Sequence, residues 1–537
     1  MQLVFHVADQ LPKLAWVARM DSRAKELRVW HGPAVEVGDG WFVEGVWDGP
    51  FEEGGFHRTE HFFGSGVRVE GDVVHFVPST AIVDRILYFE LDGALYASNS
   101  LLLLLAATGQ RLDPDHDYRK DYNSLARGMQ AYRRDLPVRP TNVTCIFQVV
   151  HEQLVVCEGE KRFESQSRVR DFASYEDYLG QVRDVLDRIR DNSLSPRRRR
   201  PMEAYTTSSS GYDSATATTL SQGVGVTKCF SSRRSNSALP KWLDRQAASD
   251  DGGPIATRLG MESLATEHDP RGDQFNELLL LAGTTGSPEL VFLSMCDRIE
   301  REAPAAIVFT GYHGDVVWDI DPGDECLDDQ IVRGGISGLG LSEVRLKAGF
   351  VNLAVAFLFG RSIASLNRIA RSPEMAPWRL GNSYDRPIAR RIVESAGVDR
   401  NLFGQRKKAV LSNAEFPMGP QGRQRFLAHL QKAYGVSPLA MRLRGWVHHL
   451  TFLLERSRRY VTSYRTAHNQ KDKGVWFSKL PRHITRERFL WAVDECCQRL
   501  EQALGDDVLL DIRAARPADA VPAEPALARG PANSIAP

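Results

Sequence analysis

The spacing of apolar positions changes character along this chain. Up to about residue 165 they come in short runs rich in Val, Ile and aromatic residues, broken by Gly, Asp and Pro. These runs predict strands at residues 3–7, 41–46, 73–76, 86–90, 94–97, 143–150 and 153–157. One helix interrupts them at residues 101–108, with Asn99 or Ser100 as its cap and Gly109 as its stop. This part reads as a layered β-rich domain. Beyond it the period lengthens: Tyr178, Leu179, Val182, Val185, Leu186 and Ile189 recur at helical spacing and predict a helix over 175–192. Residues 193–201 follow, with four arginines at 197–200, and read as a solvated linker.

Strands and helices then alternate: strand 204–207, helix 214–222, strand 226–230, helix 255–259, strand 306–310. Such alternation predicts a parallel sheet with helices on both faces. Ligands of these sheets bind beyond the carboxyl ends of the strands. From 341 to 509 the pattern is mostly helical. Residues 514–537 are rich in Ala and Pro, with almost no large apolar residues, and read as a disordered tail. The expected division is therefore 1–165, 170–513 and 514–537, with no internal repeat.

Composition narrows the function classes. A chain of 537 residues is too long for one core. Lys+Arg and Asp+Glu are both 68, so bulk charge points to neither nucleic acid nor membrane as a partner. Apolar runs such as 101–107 are too short to span a bilayer, and residues 1–10 lack the basic start and apolar core of a signal peptide. The seven cysteines are scattered and form no C-x-x-C pair, which suits a reducing cytoplasm. The chain is expected to be cytoplasmic; a homo-oligomer is compatible with it.

The chemistry concentrates at strand ends. Ser208-Ser209-Ser210-Gly211-Tyr212-Asp213-Ser214 is a small-residue turn leading into a helix. Uncovered backbone N–H groups, hydroxyl donors and the helix dipole there suit a phosphate. Asp213 would repel that phosphate, and a magnesium ion between the two resolves the conflict. A second turn, Thr310-Gly311-Tyr312-His313-Gly314-Asp315, ends the buried run 306–309. Asp213 and Asp315 could then share magnesium on a triphosphate. His313, a lone loop histidine, reads as structural. A third element, LFGQRKKAVL at 402–411, places Arg406, Lys407 and Lys408 after Gly404, where cations would offset charge on leaving pyrophosphate.

The first turn resembles the S-G-G-x-D-S signature of PP-loop ATP pyrophosphatases, with Ser210 replacing the first glycine. No Walker A loop occurs. Together the three elements resemble the asparagine synthetase superfamily over about residues 170–415. The resemblance implies an α/β chain: a β-rich, degenerate Ntn-hydrolase-like layered domain, then a PP-loop α/β domain with a parallel sheet and a helical C-terminal part. It implies ATP and Mg2+, with Ser208, Ser209, Ser210, Gly211, Tyr212, Asp213, Ser214, Gly311 and Arg406 around the nucleotide. Asp213 and Asp315 would be metal ligands and Lys408 the catalytic lysine. Glutamine-dependent members carry a cysteine after the initiator Met; Gln2 stands there and the first cysteine is Cys145, which disfavours glutamine hydrolysis. The T-G-Y turn is similar to that of β-lactam and carbapenam synthetases, whose tyrosine works with a glutamate; Tyr312 and Glu343 would take those roles. Lasso-peptide cyclases are similar in joining this ATP domain to a non-glutaminase domain. The implied activity is adenylation of a small-molecule or peptide carboxylate, followed by acyl transfer to an amine. An ammonia-using amidating enzyme and a non-catalytic ATP-binding regulator are the alternatives.

Overall fold

The computed structural model describes residues 1–513 apart from 22, 140–142, 144, 233–249, 267–277, 279–291, 334, 337, 406–419, 436, 438, 440–442 and 444–481, and of 482–485 the backbone alone. The fold is mixed α/β; among the described residues there are three sheets, and no helix is long and apolar enough to cross a membrane.

Two of the sheets are built from residues 2–165. One has eight strands, the other six, and both are largely antiparallel. Alternate residues of facing strands, among them Trp16, Met20, Phe42, Val67, Phe76 and Leu154, meet between the sheets as one core. All seven expected strands are present. The sequence LLLLLAAT of the helix Leu101–Thr108 is apolar all round, and every residue of it is buried. Ser100 caps it through Leu103 N, and Gly109 ends it in the left-handed conformation. The helical stretch Arg482–Arg513, broken at Gly505, covers this helix from outside: Arg513 donates to the Ala106 and Ala107 carbonyls.

The third sheet is parallel throughout. Its strands are β1 (Glu203–Ser208), β2 (Lys228–Ser232), β3 (Glu262–Thr266), β4 (Ala306–Thr310) and β5 (Phe350–Ala354), in the order β3-β2-β1-β4-β5. Every residue of β4 and β5 is buried, as expected for strands covered on both faces. The strand order reverses between β1 and β4, which pair directly, with Thr206 beside Phe309. A crevice at the carboxyl ends of such strands is where open α/β sheets bind ligands.

Two expectations are corrected. Residues 350–354 lie in the stretch read as mostly helical but form β5; a five-residue buried run carries no period that separates strand from helix. The arginine run is no solvated linker. Arg198 is 4% exposed, donates to the Gly45 and Asn192 carbonyls, and stacks on Phe51 at 4.2 Å, while Arg199 pairs with Glu36. These contacts fasten the chain entering β1 to the six-stranded sheet. Residues 514–537, expected to be a disordered tail, lie outside the described residues.

Candidate functional site

The turn after β1 folds onto itself. Ser209 N donates to Ser214 Oγ (3.0 Å), Gly211 N to Ser209 Oγ (3.3 Å), and Ser210 N and Oγ both reach Asp250 Oδ1 (3.2 and 2.7 Å). The expectation of uncovered loop amides is therefore corrected: these three donate to side-chain oxygens, because Ser and Asp side chains compete well for nearby N–H groups. A phosphate entering here must exchange places with oxygens of the protein. The helix Tyr212–Gly223 begins immediately after, two residues before its expected start. Gly211 is its N-cap and has no side chain to cover the first turn, so the positive end of the helix faces the switch point. Ser208 is buried at the strand end, packed against Gly252, whose missing Cβ would sit 2.4 Å from the Ser208 carbonyl carbon.

Asp213 lies in the first helical turn, where its charge suits the dipole. Its Oδ1 accepts from Arg386 Nη1, and Arg386 Nε lies 3.5 Å from Asp319 Oδ2. Arg386 is 1% exposed. Burial works against its charge, but Asp213, then Tyr384, Asp315 and Asp319, more than offset this and hold its pKa up. The protein thus supplies one cation that balances Asp213, beside the role expected for magnesium. Tyr384 packs on Tyr212 with ring centroids 4.9 Å apart, and the Arg386 guanidinium lies 5.0 Å from the Tyr384 ring. Burial holds both phenols up.

The turn after β4 is brought against the first one. Gly311 is obligatory at this approach: a Cβ there would lie 2.4 Å from the Asp213 carbonyl carbon. Gly314 likewise leaves room for Asp213 Oδ1, 2.8 Å from where its Cβ would be. Asp315 stands in the first turn of the short helix Gly314–Val317, half-buried. Tyr312 is half-buried, with Phe292 at 6.1 Å. His313 takes a positive φ of 71°, is buried, and stacks on Phe357 at 4.7 Å. Burial, aided by the Arg333 charge, pushes its pKa down to about 3, so it is a neutral packed ring rather than a base exchanging protons with solvent.

Glu343 does not join this cluster. It lies in the helix Ser342–Ala348, is 8% exposed, and accepts from Ser100 Oγ and Leu101 N, both at 2.7 Å. Both carboxylate oxygens are committed to the start of the helix Leu101–Thr108, so its assignment as partner of a catalytic tyrosine is corrected to that of a helix cap. The third motif is fixed to the site at its first end: Gly404 N donates to Ser210 O at 2.9 Å, and its φ of 65° and absent Cβ let it lie against the Tyr212 ring. Arg406 and Lys408 lie outside the described residues.

Sequence reasoning missed Arg386, Tyr384, Asp319 and Asp250. Asp250 opens an Asp-Asp-Gly-Gly turn, a legible signal; Arg386 precedes a proline that starts the helix Pro387–Ser395, which signals a helix start and nothing more. The arrangement joins a helix N-terminus, hydroxyls, the buried Arg386 and four carboxylates, Asp213, Asp250, Asp315 and Asp319, at a topological switch point. That chemistry suits a polyphosphate accompanied by a divalent cation. A scan against protein-family models matches none, and a search of curated proteins finds no significant relative.

Proposed function

We propose that this chain is an ATP-dependent, AMP-forming carbon–nitrogen ligase. The observation that supports this reading most is the pairing of two glycine-containing turns, each followed by a first-turn aspartate, at the β1/β4 switch point. Asp213 and Asp315 are the residues suited to hold Mg2+, which would offset the triphosphate charge. A substrate carboxylate oxygen attacks the α-phosphorus, and the bond to pyrophosphate breaks. An amine nitrogen then attacks the acyl carbon, the acyl–phosphate bond breaks and AMP departs, and the amine proton is relayed through the Tyr312 hydroxyl, which releases its own proton to the departing AMP phosphate as it takes the amine's.

The test is magnesium-dependent ATP–pyrophosphate exchange with pooled carboxylic acids, resolving AMP from ADP. Acid-dependent exchange with AMP is expected; ADP as product overturns the reading. A second reading, an ATP-binding regulator without turnover, is favoured by one observation: Arg386 already balances Asp213, which gives an anion site that needs no metal. Tight ATP binding unaffected by magnesium, with no exchange, would select it.

A further inference from the structure

We propose that His57, Glu70 and His75 form a binding site for a divalent first-row transition metal, zinc foremost, on the outer face of the six-stranded sheet. Val74 and Phe76 point into the core between the sheets, so His75 between them lies on the opposite face. Arg68 is its cross-strand partner, and Glu70, two residues further along that strand, shares the face. His57 arrives from the loop after the turn Phe51–Glu53. One potential ligand atom from each residue lies within 4.8 Å of the others, and His57 Nε2 is 3.2 Å from Glu70 Oε1. Two ligands of one tetrahedral zinc sit roughly 3.3 Å apart, given bonds of about 2.0–2.1 Å.

Two further observations point to a ligand. His57 is 5% exposed; its Nε2 faces Glu70 Oε1 at 3.2 Å without hydrogen-bond geometry, and its Nδ1 has no hydrogen-bond partner among the described residues. Buried imidazole nitrogens are rarely left so. His75, also buried, has Nδ1 3.2 Å from Gln153 Oε1, and Gln153 Nε2 donates to the His57 carbonyl. The amide oxygen only accepts, so Nδ1 carries the proton and Nε2 is the ligand atom, the tautomer that an outer-shell partner sets around zinc. Glu70 is partly exposed and gives an entry path, with water as fourth ligand. Arg58 donates to both Glu70 oxygens at 2.6 Å and Arg68 Nε lies 4.0 Å away. Arg58 is 69% exposed, so the metal displaces an ion pair of little worth. Two imidazoles with one carboxylate suit zinc better than calcium or magnesium. Bound there, it ties the 54–61 loop to the sheet.

The site is independent of the nucleotide reading and is tested without activity. Full-length protein is stripped with a chelator and titrated calorimetrically with zinc against a competing chelator. One tight equivalent is expected, with a rise in Tm. His57→Gln and His75→Gln should abolish it, and Gln153→Leu should weaken it by roughly 10–100-fold. No uptake by the wild type, or identical isotherms for wild type and the histidine variants, overturns the proposal. Should the variants fail to fold, zinc-edge anomalous scattering from wild-type crystals decides: a peak between the three side chains supports it, and a peak elsewhere or none refutes it.

Discussion

Asp213 and Glu343 are both acids near β-strands of the parallel sheet, yet their surroundings give them opposite work. Asp213 has a side chain 30% exposed at a helix start, facing the turn after β4. Asp213→Ala should therefore lower turnover at least on the order of 10²-fold, the scale of losing one electrostatic contact to a charged reacting group. The urea midpoint should fall as well, because buried Arg386 loses the carboxylate that most offsets its charge and keeps only Asp319 at 3.5 Å, so exchange is read per folded molecule. Unchanged exchange activity would remove Asp213 from the site. Glu343 is sealed over a helix end, so Glu343→Ala should cost about 1–2 kcal/mol of stability, as other cap losses do. Denaturant unfolding checks the cost. Exchange activity per folded molecule should hold, and its loss in a stable variant would restore Glu343 to catalysis. The Asp213 loop was legible because its residues are contiguous. Arg386, 173 positions away, was not.

At the level of elements, the site depends on how closely β4 meets the start of the helix Tyr212–Gly223. Gly311→Ala would force a methyl against the Asp213 carbonyl carbon and push the two turns apart. ATP affinity should fall at least tenfold on the general scale of misplaced reacting groups, with the circular dichroism spectrum retained; wild-type affinity by calorimetry would show that the approach is not needed. Strands with alternating or β-branched runs were legible, and so was the capped helix Leu101–Thr108. β5 was not, since its neighbours in sequence are helical and its burial on both faces erases alternation.

Across the whole molecule, the helix Ser342–Ala348 ties the parallel sheet to the first 165 residues. Besides Glu343, it contributes Arg345, which is 1% exposed and pairs with Glu44 (2.7 Å) and Asp84 (2.5 Å). Arg345→Met leaves two buried carboxylates uncompensated and should cost about 3–5 kcal/mol, read as a lowered Tm; a Tm within a degree of wild type would show that the pairs carry no weight. Stability should also follow pH. Burial pushes His61 down to about 3 and His151 to about 4, while both titrate near 6.5 when unfolded. Their contribution is fully present above 6.5 and is lost as pH falls toward 4, by up to about 1.4 kcal/mol per unit for each. Asp84, raised by burial to about 6, acts in the opposite sense between its unfolded value and pH 6, so the two histidines outweigh it. Urea midpoints at pH 7.5, 5.5 and 4.5 should fall, and His61→Leu should flatten the slope. An unchanged slope in that variant would show that His61 does not control it.

Sequence by itself determined the local devices: the small-residue turn with Asp213, the second turn with Asp315, the helix stops and caps, and the alternation that predicts a parallel sheet. Each is written in residues within one turn or strand of each other, where backbone sterics and periodicity act directly. Only tertiary structure decided which side chains meet. It set Arg386 on Asp213, Asp250 on Ser210, Glu343 on the helix at Leu101, Arg198 beneath Phe51, and His57 beside Glu70 and His75. Most of these partners lie tens to hundreds of positions apart, and even the nearest, His57 and Glu70, come from a loop and a strand. A long-range contact leaves no period or spacing in the chain; it exists because sheets and helices bury their apolar faces together and bring the polar groups with them.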